Sequence, residues 1–300
     1  MYNEGKDRAK GGAMKTFYID SSFFEALPAR PARSNKGTFG RVLIVGGSYS
    51  MSGAAYFSGK AAYRTGAGLV QIMSPKENRV IYQTQLPEAL LALYDTEVPD
   101  ESAIKNAVCR ANSLAVGMGL GTDDTSKSIL KWVLEAVNSP PVIDADALNI
   151  LSAHPELWEL VPKGSIITPH PAEMSRISRL TVDQVCADIA GTAARFAKEH
   201  SVICLLKDHN TAISDGERTA INTSGNSGLA TGGSGDVLAG IIAGLLAQGC
   251  KAFDAAALGA YIHGLAGDDA ASRLSEYSVM ASDIIDSLPS IFSEIQSRKD

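Results

Sequence analysis

Asp236 is the residue of this chain best placed to do chemistry. It closes the run Asn226-Ser-Gly-Leu-Ala-Thr-Gly-Gly-Ser-Gly-Asp236 and is followed at once by Val-Leu-Ala-Gly-Ile-Ile-Ala-Gly-Leu-Leu-Ala247. Gly232, Gly233 and Gly235 permit positive φ and close approach to the backbone, and the apolar run after them favours a helix. A glycine turn feeding a helix presents several backbone N–H groups at the positive end of the helix dipole, a ready site for phosphate. A carboxylate in that turn would repel a phosphate that merely bound there. It is better explained as a base that takes a proton from a hydroxyl while that hydroxyl is phosphorylated. The plain alternative is an aspartate N-cap on a buried helix.

Other polar residues fall where short apolar runs end. Gly46-Gly47-Ser48 follows Arg41–Val45, and Gly117-Met-Gly-Leu-Gly121 follows Ser113–Val116. Asp144-Ala-Asp146 follows Val142-Ile143, Thr168-Pro-His-Pro-Ala-Glu173 follows Ser165–Ile167, and Lys207-Asp-His-Asn-Thr211 follows Ser201–Leu206. In parallel α/β folds the crevice at the carboxyl ends of the strands is where ligands bind. Each loop alone is ordinary turn chemistry; five of them, with the Asp236 loop, predict one long groove. Asp144 and Asp146 read as caps of the helix beginning near Ala147 rather than as metal ligands. Lys207 reads as a phosphate or ribose contact.

The elements that must hold these loops alternate along the chain. Strands are predicted at Arg41–Gly47, Leu69–Met73, Ser113–Gly117, Pro141–Asp144, Ser165–Thr168 and Ser201–Leu206, with helices at Ser52–Thr65, Ser126–Val137 and Val182–Lys198 between them. Nearly continuous apolar strands alternating with helices predict an α/β fold, its mostly parallel sheet covered on both faces. Thr211–Ser214 and Arg218–Asn222, joined through Asp215-Gly216, predict an antiparallel hairpin. No repeat, linker or low-complexity block divides residues 16 to 300, which read as one domain. Residues 1 to 15 are polar, lack an apolar leader core, and read as a disordered extension, with Met14 as an alternative start.

Composition excludes several classes. With 300 residues, 45% hydrophobic and 20% charged, the chain can bury a large core. A net charge of −6 and pI near 5.4 argue against nucleic acid or an anionic membrane surface as the main partner. The apolar run Val237–Ala247 is too short to span a bilayer. Cys109, Cys186, Cys204 and Cys250 form no C-x-x-C pair and read as reduced, mostly buried thiols of a cytoplasmic protein, with no zinc site.

Taken together, Lys36-Gly-Thr-Phe-Gly40, Val45-Gly-Gly-Ser48, Arg64-Thr-Gly-Ala-Gly-Leu-Val70, Val116-Gly-Met-Gly-Leu-Gly121, Val142-Ile-Asp-Ala-Asp-Ala-Leu148, Thr168-Pro-His-Pro-Ala-Glu173 and Gly232-Gly-Ser-Gly-Asp-Val-Leu238 resemble the NAD(P)H-hydrate dehydratase family in the same order. The resemblance runs over roughly residues 16 to 295. Met118 stands where the family often has proline, and Ala172 where it often has glycine. The resemblance implies a ribokinase-like fold and nucleotide-dependent dehydration of NADHX or NADPHX, with ADP (or ATP) as co-substrate. Asp236 would be the catalytic base. Tyr56, Gly119 and His170 would line the NAD(P)HX site with it. Lys207, Asp208, His209, Asn210, Thr211, Asn226, Gly232, Gly233, Ser234 and Gly235 would contact the nucleotide. Glu173 would reach Mg2+ through water. A homotetramer is implied as well, with a separate epimerase for the other epimer, since the chain has no room for the companion domain. Two rivals share the glycine turn: a small-molecule kinase of the same fold acting on a vitamin precursor, and a nucleotide-binding regulatory protein without catalysis.

Overall fold

A computed structural model describes residues 15–298. The strands are β1 (Lys15–Tyr18), β2 (Arg41–Val45), β3 (Leu69–Pro75), β4 (Leu90–Tyr94), β5 (Ser113–Val116), β6 (Val142–Ile143), β7 (Ile166–Ile167), β8 (Ile203–Leu206), β9 (Thr211–Ser214) and β10 (Arg218–Asn222). The helices are α1 (Ser52–Arg64), α2 (Arg79–Gln85), α3 (Glu101–Cys109), α4 (Asp124–Ala136), α5 (Asp146–Ala153), α6 (Pro171–Ser178), α7 (Val182–Ala187), α8 (Ile189–His200), α9 (Ser234–Ala247), α10 (Ala252–Leu274) and α11 (Ala281–Ser297).

Ten strands form one sheet in the order β1-β10-β9-β8-β7-β6-β5-β2-β3-β4. The run from β8 to β4 is parallel throughout. β9 pairs antiparallel with both β8 and β10, and β1 closes the edge parallel to β10. The predicted hairpin is present, with Gly216 at φ 89° in its turn.

Burial on both faces explains the unbroken apolar strands. In β2, Val42 and Ile44 face a core shared with α1, α9, α10 and α11, while Leu43 and Val45 face one shared with α3, α4, α5 and α8. All four are fully buried. The result is an α/β/α sandwich, as the alternation predicts.

The placement of α9 depends on small residues. A Cβ on Gly240 would collide with the Ser58 carbonyl of α1, and one on Gly244 would stand 3.0 Å from the Ala62 oxygen. The two helices therefore cross at backbone distance. Ser58 Oγ donates to the carbonyl of Asp236 at 2.9 Å, fixing the start of α9 along that crossing.

Several expectations are corrected. Val182–Lys198 is two helices, broken at Asp188 (φ −150°, ψ 71°), whose carboxylate caps α8 by accepting from the Gly191 amide at 2.9 Å. Two of the four thiols, Cys109 and Cys186, are exposed. The proposed extension through residue 15 and the alternative start at Met14 lie outside the described residues except for Lys15, which opens β1. Among the described residues no helix is long and apolar enough to cross a membrane.

Candidate active site

The loops after β6, β7, β8 and β10 meet the start of α9 around a cleft of about 980 Å³. Its walls include Asp144, His170, Glu173, Lys207, Asn226, Gly233, Ser234, Gly235 and Asp236.

Gly233 is the N-cap of α9, at φ 90°, ψ −11°, and Asp236 is the third residue of the helix rather than its cap. The simple capping role for Asp236 is thereby overturned. Its backbone lies among the first-turn N–H groups that have no partner inside the helix. The carboxyl is pushed up to about 7, chiefly by burial and then by the charge of Asp144, with Lys207 pulling the other way and Asp146 adding a smaller push. A group titrating near neutrality beside a helix N-terminus has the proton affinity a general base needs.

Asp144 and Lys207 form one unit. Lys207 Nζ lies 3.1 Å from Asp144 Oδ1; the Asp144 side chain is 2% exposed and that of Lys207 24%. A Cβ on Gly235 would stand 3.4 Å from that ammonium and 3.7 Å from Asp144 Oδ2, so the pair sits directly on the second residue of α9. Burial draws the ammonium down, but Asp144, Glu173 and Asp236 together hold it above the usual lysine range. Neither Asp144 nor Asp146 caps α5, whose N-cap is Ala145 with no side-chain bond. Asp146 instead accepts from the Gly121 amide at 2.9 Å. The expectation of capping aspartates fails because Ala145 takes φ 52°, ψ −118°, a conformation costly for a residue with a Cβ. That bend sends the two carboxylates to different partners.

His170 caps α6. Its Nδ1 accepts from the amides of Ala172 (3.1 Å) and Glu173 (3.3 Å), while Glu173 Oε2 accepts from the His170 amide at 2.9 Å. Nδ1 is therefore the acceptor nitrogen, and Nε2 is left to carry the proton of the neutral ring. Burial holds this imidazole below its usual value, with Lys207 and Arg176 adding to that and Glu173 opposing it. Glu173 is buried and part of a capping box. Among the described residues no group of three or more His, Cys, Asp or Glu side chains is placed to hold a metal ion.

The cleft gathers most of the nucleotide set: Lys207, Asp208, His209, Thr211, Asn226, Gly233, Ser234 and Gly235. Asn210 and Gly232 are exposed and do not line it. Tyr56 and Gly119 do not line it either. Gly119 is buried at φ 61° against Met51 and Ala54 of the α1 entrance. Tyr56, on α1, stands 5.4 Å from the Phe57 ring, and Phe57 in turn faces Gly233. The Gly46–Ser48 and Gly117–Gly121 loops do not line this cleft. The Gly46–Ser48 and Gly117–Gly121 loops bond to each other, Gly47 N–H to Met118 O at 2.9 Å and Ser48 N–H to Gly119 O.

Residue-by-residue reading missed His263. It projects from α10, is 8% exposed, and its Nε2 meets Ser234 Oγ at 3.2 Å beneath the glycine turn. A single polar ring within Leu258-Gly-Ala-Tyr-Ile-His-Gly-Leu-Ala-Gly267 was the available signal. Burial depresses it from 6.5 to about 4. The unfolded chain therefore binds this proton more readily, and the stability present above pH 6.5 is lost as pH falls toward 4. This group contributes up to about 3 kcal/mol to that loss. Denaturant titrations at pH 7 and pH 4.5 should show the loss in wild type and a smaller one in His263→Gln.

An open, mostly parallel sheet whose carboxyl-end cleft meets a glycine-turned helix start bearing a carboxylate is a ribokinase-like arrangement. The chain belongs to the NAD(P)H-hydrate dehydratase family, whose model matches residues 42–290. It is 39% identical over 279 residues to a bifunctional NAD(P)H-hydrate repair enzyme of Moorella thermoacetica, covering 90% of this chain and 52% of that one. It is 40% identical over 250 residues to the ADP-dependent (S)-NAD(P)H-hydrate dehydratase of Neisseria meningitidis, covering 82% of each. The chain thus spans about half the length of the Moorella relative. The ADP/ATP-dependent NAD(P)H-hydrate dehydratase of Bacillus subtilis, co-crystallised with ATP/Mg2+, superposes with a TM-score of 0.81 at 28% identity, covering 94% of this chain and all of that one.

Proposed function

We propose that this chain uses ADP, or less readily ATP, to dehydrate the S epimer of NADHX and NADPHX, restoring NADH and NADPH. The observation that carries the proposal is Asp236, titrating near 7 in the first turn of α9 and sharing one cleft with Lys207 and His170. The relatives named above support the same substrate class.

Hydroxide is a poor leaving group and phosphate a good one. Asp236 takes the proton of the ring hydroxyl as that oxygen attacks the terminal phosphorus of the nucleotide, and the bond from that phosphorus to its bridging oxygen breaks, releasing AMP when ADP is the donor. Such in-line transfer needs positioning and charge neutralisation more than covalent help. The first-turn amides of α9 and the Lys207 ammonium supply both. The electron pair of the ring nitrogen then expels phosphate from the adjacent carbon, and loss of the neighbouring ring proton to water restores the double bond. His170, neutral near pH 7 with Nε2 as donor, is placed to orient the dinucleotide. Tyr56 and Gly119 belong to its more distant part, beyond the cleft.

Magnesium fits as a companion of the nucleotide. Magnesium keeps several waters and takes only one or two carboxylates alongside substrate phosphates, and among the described residues no group of three or more His, Cys, Asp or Glu side chains is placed to hold a metal ion. Glu173, with one oxygen committed to the His170 amide, would reach it through water and leave it to neutralise phosphate charge. The reading carries with it a single domain over residues 16 to 300, a cytoplasmic homotetramer, and a partner epimerase that interconverts the two NAD(P)HX epimers.

Product identity tests the proposal. NADHX with ADP should give AMP, phosphate and NADH in equal amounts, followed by chromatography and by the near-ultraviolet absorbance of NADH. A stable phosphorylated alcohol with no NADH would identify a vitamin-precursor kinase. Nucleotide binding without turnover would identify a regulatory protein.

A further inference from the structure

Asp144 has no role in the chemistry just described, yet it is the most buried charged group of the cleft, 2% exposed. Its position is imposed by backbone. The Asp144 amide donates to Val116 O at 3.1 Å, and a Cβ on Gly117 would collide with the Asp144 carbonyl. Ala145, strained at φ 52°, ψ −118°, turns the chain so that Asp144 and Asp146 diverge. Lys207 is fixed from the other side, its amide donating to Pro169 O at 2.9 Å at the end of β8. Two independently anchored groups therefore meet at 3.1 Å above the second residue of α9.

We propose that Asp144 is a positioning residue: it holds the Lys207 ammonium over the first turn of α9, where the transferring phosphoryl would sit. The inference rests on the functional reading above and names how that site is set. A lysine side chain has four rotatable bonds, and a buried carboxylate on its ammonium removes most of that freedom before the nucleotide arrives. The same carboxylate is a like charge for Asp236. The charged and titratable groups around Asp236 come from four directions. Asp144 and Asp146 flank the start of α5, Lys207 follows β8, His170 and Glu173 start α6, and His263 lies on α10. Of these, Asp144 is the strongest force after burial holding the proton on Asp236, and Lys207 is the opposing force. Removing the two partners should therefore move Asp236 in opposite directions.

The test is the pH dependence of kcat/KM for NADHX at saturating ADP and magnesium, with wild type, Asp144→Asn and Lys207→Met measured on the full chain. In Asp144→Asn the acid limb should move down by about one pH unit. Its kcat at pH 8 should fall roughly tenfold, a loss typical of a mispositioned charged group. In Lys207→Met the acid limb of the residual activity should move up. If Asp144→Asn does not fold, the direction of the Lys207→Met limb and a charge-preserving Asp144→Glu variant, expected to keep the wild-type limb with reduced kcat, decide the question. An acid limb unmoved in Asp144→Asn, or moved the same way in Asp144→Asn and Lys207→Met, overturns the proposal. So does activity of Asp144→Asn restored by raised magnesium alone, which would make Asp144 a metal ligand. A wild-type enzyme that forms no NADH from NADHX instead overturns the functional reading itself.

Discussion

Asp236→Asn should lower the rate of NADH formation from NADHX by about 10²–10⁴, the usual effect of removing a general base, without any loss of folded stability. The amide keeps the shape and hydrogen-bonding reach of the carboxylate but cannot take the hydroxyl proton. Stability should move the other way. The carboxyl of the folded protein holds its proton up to about pH 7, against 3.8 for the ordinary group. The folded state therefore binds this proton more tightly than the unfolded chain does. Its contribution is fully present below about pH 4 and is lost as pH rises through 7. Asparagine carries no such loss. The variant should match wild type near pH 4 and exceed it at pH 8, by up to about 4 kcal/mol for a shift of this size. Thermal melts at the two pH values and single-turnover assays at pH 8 check both halves. Activity within a few-fold of wild type would end the base assignment. A variant less stable at pH 8 would show that the carboxylate is needed to hold α9 in place.

A glycine turn, a carboxylate and an apolar helix lie side by side between Gly232 and Ala247, so their chemistry could be read from adjacent residues. The parallel sheet was readable for the same reason: Val42 to Val45 are buried on both faces, which leaves an unbroken apolar run. What tuned Asp236 was not readable. Asp144 and Lys207 are 63 positions apart and meet only because β6 and β8 flank β7. His263 reaches Ser234 from α10, 29 positions further along the chain. The break at Asp188 was hidden because apolar periodicity continues through it, and only the dihedral angles of the capping aspartate separate α7 from α8. Tyr56 and Gly119 came from resemblance alone, and Gly119 lies in a loop bonded to Gly46–Ser48 that does not line the main cleft.

The glycine turn itself offers the second large effect. Filling Gly233 is the obvious substitution from sequence, because a glycine turn that receives phosphate needs positive φ there. It would be ambiguous in practice. Gly233 sits at φ 90°, and a Cβ would press the Phe57 ring at 2.8 Å and Ala281 at 3.0 Å, so Gly233→Val strains the fold and the site together. Gly235 separates them. It lies within α9 with no positive φ, and a Cβ there meets nothing closer than Lys207 Nζ at 3.4 Å and Asp144 Oδ2 at 3.7 Å. Helical backbone accepts valine at a cost well under 1 kcal/mol. The γ-methyl groups would instead occupy the space where phosphoryl oxygens approach the first-turn amides, and would push the ammonium aside. Gly235→Val should therefore retain a melting temperature near that of wild type while losing at least about 10²-fold in turnover, the scale of losing one preorganised donor to a transferring group. Calorimetry with ADP should show weakened binding in the same variant. Full affinity for ADP with a folded Gly235→Val would place the phosphates away from α9 and remove the reason for Asp236 to stand where it does.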